Sequence, residues 1–425
     1  MRARILFSAG VLVVASLFLS LLLAELILRA VAPRYEYAAR ADYNTQSGRL
    51  VERFPNSVTT RPHPDSGRRH LVIHNNLALR QHRDIPLAKA AGEVRIGFFG
   101  DSYTENLRIA APYMFTEVLD YLLNLGKHSV NVLNFGVDAY GTDQSYLAYR
   151  ASPLAENLDL VFYVFTANDV RNLYENDLFE LDSEGRLVQK PLPERPVWLP
   201  LLSRLYLTYF TIDVVNRAQL LFGGESDPFG NWKQPLAQQW LARGLRRERE
   251  TRQHDEVAEA IHGRITGEQA EEDETATPYI ALLQAIVRHW RDEVEAKGGR
   301  FFVVLLPRRH ESRAEAIFAD FKTINLWREF FSHRLDDDTW RFQNDGHWNE
   351  FGNQLAALHL YRHSAPLLGG TPLDEAELHA ALGRYYAAFP EFWRPRYGVA
   401  PAAVEPAEVT RLRARYVPLE PAHAY

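Results

Sequence analysis

Four short segments of this chain carry side chains that together can activate an attack on a carbonyl carbon and stabilise what forms. They are Gly100-Asp101-Ser102, Asn134-Phe135-Gly136-Val137-Asp138-Ala139-Tyr140-Gly141-Thr142, Asn168-Asp169, and Asp345-Gly346-His347-Trp348-Asn349. A serine hydroxyl is a poor nucleophile until a base takes its proton, and histidine is the usual base. A carboxylate beside the histidine fixes its tautomer and stabilises the imidazolium. Ser102 and His347 are therefore the candidate nucleophile and base. Taken singly, Ser102 reads as a turn residue, Asn168 as a helix cap and His347 as a surface histidine ahead of a helix. All four segments in this order, each at a strand end or a helix start, favour a catalytic set. A metal site at Asp345 and His347 is the weaker reading. It needs three or four ligands in one place, and no His-x-x-x-His or acidic cluster stands nearby. No metal and no cofactor is expected.

The elements that must position these residues follow from apolar patterning. Val94–Phe99, Val130–Phe135, Leu158–Phe165 and Phe301–Leu306 read as buried strands, and Thr323–Leu326 as a short fifth. Between them, Phe115–Leu125 and Asp143–Tyr149 have helical spacing. Thr277-Pro278 opens a helix whose apolar face carries Tyr279, Leu283, Ile286, Val287, Trp290 and Val294. Asn349–Tyr361 leads away from the histidine segment as a helix. Strands alternating with helices predict an α/β fold with a mainly parallel sheet of about five strands, covered on both faces. Ser102 would then lie at the C-terminal edge of the sheet, where ligand sites of open α/β sheets collect.

The blocks resemble those of the SGNH (GDSL-type) hydrolase superfamily over roughly residues 70–365. The resemblance implies a flavodoxin-like α/β/α domain with Ser102 as nucleophile and His347 as base. It implies oxyanion donors at the Ser102 N–H, at a backbone N–H that maps to Ala139, and at the Asn168 side chain. Members of the family usually have glycine where Ala139 stands, and alanine forbids backbone conformations that glycine permits. Gly141 is the fallback donor. The usual Gly-x-Asn-Asp block reads Thr166-Ala167-Asn168-Asp169 here. Many members place the orienting Asp three residues before the His, where this chain has Asn344. Asp345, two before, is assigned as the orienter, because Asp-Gly-His-Trp-Asn looks like the variant of membrane-anchored members that resemble exopolysaccharide acylation proteins. Asp101 and Asp169 are expected to brace turns beside the pocket, with Tyr103, Tyr140 and Asp143 nearby. Asn76 and Arg80 also resemble a segment ahead of the first strand in anchored relatives.

Composition bounds the alternatives. With 425 residues, 46% of them hydrophobic, the chain can hold two average domains or one with insertions. A net charge of −6 offers no broad basic face for nucleic acid. Cysteine is absent, which excludes a thiol nucleophile, a disulfide framework and a cysteine metal site. Arg2 and Arg4 precede an uncharged run, Ile5–Ala24, of the length that spans a bilayer. Glu25 and Arg29 follow at i, i+4, where they can pair. The run is longer than the apolar core of a cleaved signal, although an Ala30-Val31-Ala32 triplet exists, so an uncleaved anchor is favoured. A short basic N-terminus tends to stay inside, which puts the large domain in the periplasm or outside the cell.

The expected organisation is an anchor at 1–34, a polar stalk and lead-in at 35–90, a hydrolase-like domain at 91–370, and a C-terminal helix with a Pro-rich tail at 371–425. The domain is interrupted at about 175–276 by an insertion. Within that insertion, Asp182-Ser183-Glu184-Gly185 reads as a hairpin turn, and the apolar 201–222 stretch as a core helix of the insertion rather than a lid or membrane-facing helix. The functional expectation is a membrane-anchored serine esterase. It would act on acyl esters, acetyl above all, of a surface or exported glycan, through an acyl-serine intermediate. An O-acyltransferase working with a membrane-bound acyl-donating protein uses the same residues, so sequence does not separate the two. A lipase is less favoured. From another class, the chain could be an inactive glycan-binding or assembly factor. Expected partners are an acylated carbohydrate or other ester substrate, and membrane lipid around the anchor.

Overall fold

The computed structural model describes residues 2–31, 41–42, 52–53, 55–126, 129–191, 205, 207, 277–306, 312–326, 330 and 337–389. The 201–222 stretch, most of the insertion and the Pro-rich tail lie outside these residues.

Helix α1 (Arg2–Val31) contains Val11–Ala30, the one helix among the described residues long and apolar enough to cross a membrane. Its apolar side chains are exposed in the isolated chain. Near its end Glu25 pairs with Arg29 at 2.7 Å, as the spacing predicts, and also accepts the Leu207 N–H. Two small antiparallel pairs follow, β1 (Ala41–Asp42) with β2 (Glu52–Arg53) and β3 (Ser57–Pro62) with β4 (Arg69–His74).

The central sheet has the order β11-β10-β7-β5-β6, with every pair parallel. Its strands are β5 (Glu93–Gly100), β6 (Ser129–Asn134), β7 (Leu160–Phe165), β10 (Arg300–Leu305) and β11 (Thr323–Asn325). The Asp182–Gly185 turn joins β8 (Phe179–Leu181) to β9 (Leu187–Gln189) as an antiparallel hairpin. Strand β7 is buried at every position because successive side chains face opposite ways into two cores. Leu160, Phe162 and Val164 join Ile96 and Phe98 in one, while Val161, Tyr163 and Phe165 join Phe99 and Trp290 in the other.

Helices cover both faces. The first core takes residues of α3 (Phe115–Leu123), α9 (Glu350–Leu367) and α10 (Glu375–Ala387). The second takes residues of α4 (Thr142–Ala151), α5 (Asn168–Asn176), α6 (Thr277–Ala296) and α7 (Ser312–Ile317). Among the described residues there are also two one-turn α-helices, α2 (Ser102–Glu105) and α8 (Asp337–Trp340).

From β5 the chain goes out to β6 at the edge, then returns to β7 on the other side of β5. Connections therefore leave the C-terminal end of β5 and its neighbours in opposite directions. This reversal point opens a crevice, and the Ser102, Ala139 and Asn168 segments all emerge there.

Residues 55–90 are not the free stalk that their polarity predicts. The β3–β4 hairpin lies against α9 and α2 through polar contacts: His63 Nε2 meets Glu350 Oε1 at 2.9 Å, and His74 Nε2 meets Glu105 Oε1 at 3.0 Å. Arg80, fully buried, donates its backbone N–H to Asn134 O and its guanidinium to Ile73 O and Ile109 O. Asn76 ties its own segment to Ile85 through two hydrogen bonds.

Candidate active site

Ser102 is the first residue of α2, directly after β5. Asp101 caps that turn by accepting the Tyr103 N–H at 3.0 Å. The glycines on either side of the crevice are required by close approach. A Cβ at Gly100 would stand 2.5 Å from Thr104 Oγ1 and 2.8 Å from Val164 O. One at Gly136 would stand 2.4 Å from the Glu105 backbone nitrogen. Asn134 locks the same junction: its Oδ1 accepts the Gly136 N–H at 3.0 Å, and its Nδ2 donates to Thr104 O at 2.7 Å.

The Asp345–Asn349 segment brings the base from far along the chain. His347 Nε2 lies 2.7 Å from Ser102 Oγ, and its Nδ1 meets Asp345 Oδ1. Asp345 Oδ1 also accepts the His347 N–H at 3.0 Å, while Oδ2 accepts Arg108 Nε at 3.1 Å. Burial alone would raise the Asp345 carboxyl, but the His347 hydrogen bonds and the Arg108 charge prevail and hold it below the ordinary carboxylate range. Asn344 makes no such contact; it meets Asp65 on the far side.

The other residues of the segment hold it in place. Tyr103 Oη donates to Gly346 O at 2.9 Å, and its ring lies 4.7 Å from the imidazole. Trp348 is buried against Tyr103 and Phe330. Asn349 caps α9 by accepting the Phe351 and Gly352 N–H groups at 3.0 Å each.

Among the described residues, neither the Ser102 N–H nor the Ala139 N–H has an acceptor. Ala139 adopts φ of 67°, the left-handed conformation that glycine takes freely and alanine rarely. The turn that imposes it is clamped: the neighbouring Asp138 N–H donates to Glu105 Oε2, and the Tyr140 N–H to Val137 O at 3.1 Å. Gly141 is not an available donor, because its N–H is committed to Gln144 Oε1 at 3.2 Å at the start of α4.

Asn168, half-buried at the start of α5, donates one amide hydrogen to Asp101 Oδ2 at 3.0 Å. That bond orients the amide and leaves its second N–H free. Asp101 and Asp169 belong to a buried chain of hydrogen bonds behind the crevice. Thr166 Oγ1 lies 2.9 Å from both Asp101 Oδ2 and Asp169 Oδ1, and it has one proton for two carboxylates. Burial, then the Asp101 charge, pushes the Asp169 carboxyl well up. Asp169 Oδ2 in turn accepts from Tyr163 Oη at 2.7 Å and from the Thr166 N–H at 3.1 Å. Tyr140 and Asp143, expected at the pocket, are buried.

Sequence reasoning missed a layer of charge around this centre. Glu105 is fully buried one turn after Ser102 and takes a two-point ion pair from Arg53, at 2.6 and 2.7 Å. Burial would raise its carboxyl, but the Arg53 charge and the His74 hydrogen bond hold it well below the usual range. Glu105 thereby joins the Ser102 turn, the Ala139 turn and the hairpin. One signal was present: Pro64-Asp65-Ser66-Gly67 is a turn sequence between two alternating runs. No protein-family model matches this chain, and no curated protein matches it.

Proposed function

We propose that this protein is a membrane-anchored serine esterase with an SGNH-like catalytic domain. The observation that carries the proposal is the continuous line from Ser102 Oγ through His347 to an ionised Asp345, beside two N–H groups without acceptors. Ser102 Oγ attacks the acyl carbonyl as its proton passes to His347 Nε2. Asp345 holds the Nδ1 proton in place and stabilises the imidazolium. The carbonyl oxygen becomes an oxyanion, received by the Ser102 and Ala139 N–H groups and the free Asn168 amide hydrogen. Removing one donor of this kind costs about 3 kcal/mol of transition-state stabilisation in comparable sites. His347 returns the proton to the leaving alcohol, leaving an acyl-serine. Water, deprotonated by the same histidine, then releases the acid.

A glycan acyl ester, acetyl first, is the proposed substrate. It follows from the likeness of Asp-Gly-His-Trp-Asn to membrane-anchored members of the superfamily, together with the apolar N-terminal helix. With Arg2 and Arg4 on the inner side, the domain faces away from the cytoplasm. A serine-directed fluorophosphonate should label the wild-type protein and leave Ser102→Ala unlabelled. Absence of labelling in folded wild-type protein would favour the binding-factor reading instead.

A further inference from the structure

Arg61 is the one arginine of the charged layer that the site as described does not use. It pairs with His70 across the β3–β4 ladder, so the two side chains share a face of the hairpin. Val72 and His74 lie on that face too, and it is the buried one. His70 Nε2 meets Leu107 O at 3.0 Å, next to Arg108. Arg61 is thus turned inwards, towards the catalytic elements.

The groups that act on its charge are Asp138, Arg53, Glu105 and Arg108. Asp138 immediately precedes the oxyanion residue Ala139, and Arg108 holds Asp345. The other two arginines are committed, Arg53 to Glu105 and Arg108 to Asp345 with Asp138 at 4.0 Å. The Arg61 side chain has no hydrogen bond and no ion pair with any described residue, and its Nε is buried without an acceptor. Such a cation is costly unless an anion joins it. Burial, against which Asp138 and Glu105 only partly act, lowers the Arg61 guanidinium to about 10, so its charge is under-compensated where it stands.

We propose that Arg61 is a specificity residue that binds an anionic group, carboxylate or phosphate, carried by the ester substrate on its alcohol side. The planar guanidinium fork suits either anion. This assignment rests on the esterase reading and adds the charge of its substrate: an acidic glycan in place of a neutral one. With the substrate bound, the anion satisfies Arg61 and holds the ester beside Ser102.

The test uses the full-length protein in detergent and three O-acetylated oligosaccharides of equal length: neutral, uronic-acid-containing and phosphate-bearing. Wild type should release acetate from one of the anionic substrates with at least a tenfold higher kcat/KM than from the neutral one, mainly through KM. Whichever anionic arm is preferred identifies the anion. Arg61→Gln should abolish the preference, Arg61→Lys should retain part of it, and Arg68→Gln, at an exposed position of the same hairpin, should retain all of it. No preference in wild type, or an unchanged preference in folded Arg61→Gln, overturns the assignment. Binding of the same oligosaccharides to Ser102→Ala and to Ser102→Ala/Arg61→Gln, read by calorimetry, needs no turnover. Charge-selective binding lost in the double variant supports the subsite even if the esterase reading fails; equal binding by the two overturns it.

Discussion

The two halves of the candidate site are held by different physics. The nucleophile half is fixed by backbone packing at the end of the sheet: Gly100 against Val164, Gly136 against Glu105, and buried hydrogen bonds from Asn134 and Asp101. The base half is a loop with Asp345 and His347 only partly buried, held by the Arg108 ion pair, the Tyr103 hydroxyl and the Trp348 anchor. The lesson is that changes to the packed glycines on the first side should strike the fold, whereas changes on the second should strike chemistry and spare the fold.

The largest expected effect is on the base side. Asp345→Asn should lower kcat by about 10⁴-fold, the scale seen when tautomer control of a catalytic histidine is lost, with little change in the unfolding midpoint. Asn344→Ala, whose contacts are with Asp65, should do far less. Steady-state kinetics with matched unfolding curves checks both. A more damaging Asn344→Ala would move the orienting role away from Asp345.

On the nucleophile side, Gly136→Ala drives a methyl into the α2 backbone. Overpacking of this kind costs about 3 kcal/mol where the struck atoms cannot move aside. Urea unfolding should show that loss, and an unshifted midpoint would show that the turn can yield.

A smaller effect separates the two halves by pH. Asp143 lies at the start of α4, just after the Ala139 turn, with its Oδ2 buried and without a partner among the described residues, and burial raises its carboxyl to about 7. The unfolded chain releases this proton near pH 4, so the folded state holds an extra proton between about 4 and 7. The Asp143 contribution to stability therefore falls as pH rises through that window, by up to roughly 1.4 kcal/mol per unit. Asp143→Asn should remove this slope, which between pH 4.5 and 6.5 amounts to about 2.7 kcal/mol. Unfolding free energies of both proteins at the two pH values measure it, and parallel profiles would contradict the raised carboxyl.

Much of the fold was legible because the strands are continuous apolar runs and the helices keep a 3.6-residue period. Each strand of the central sheet falls within two residues of its expected limits. The order of the chemical segments along the chain was legible too, since a parallel sheet gathers strand ends at one edge. The hairpin at 57–74 was not, because its inward residues are His70, His74 and Arg61. An apolar periodicity does not register polar groups at inward positions. Nor could sequence foresee that Gln144 would occupy the Gly141 N–H, or that the Glu105 clamp would hold Ala139 at a positive φ. Both depend on contacts that exist only once the turn has closed.

The central claim is that Ser102 becomes acylated. It is tested most directly by mixing the full-length protein with an activated acetyl ester, quenching within the first turnover and locating the adduct by peptide mass. The account predicts an acetyl group on Ser102, absent from Ser102→Ala, which should also lose ester turnover while keeping its unfolding midpoint. An adduct on another residue, or turnover near the wild-type rate in a folded Ser102→Ala protein, would contradict it.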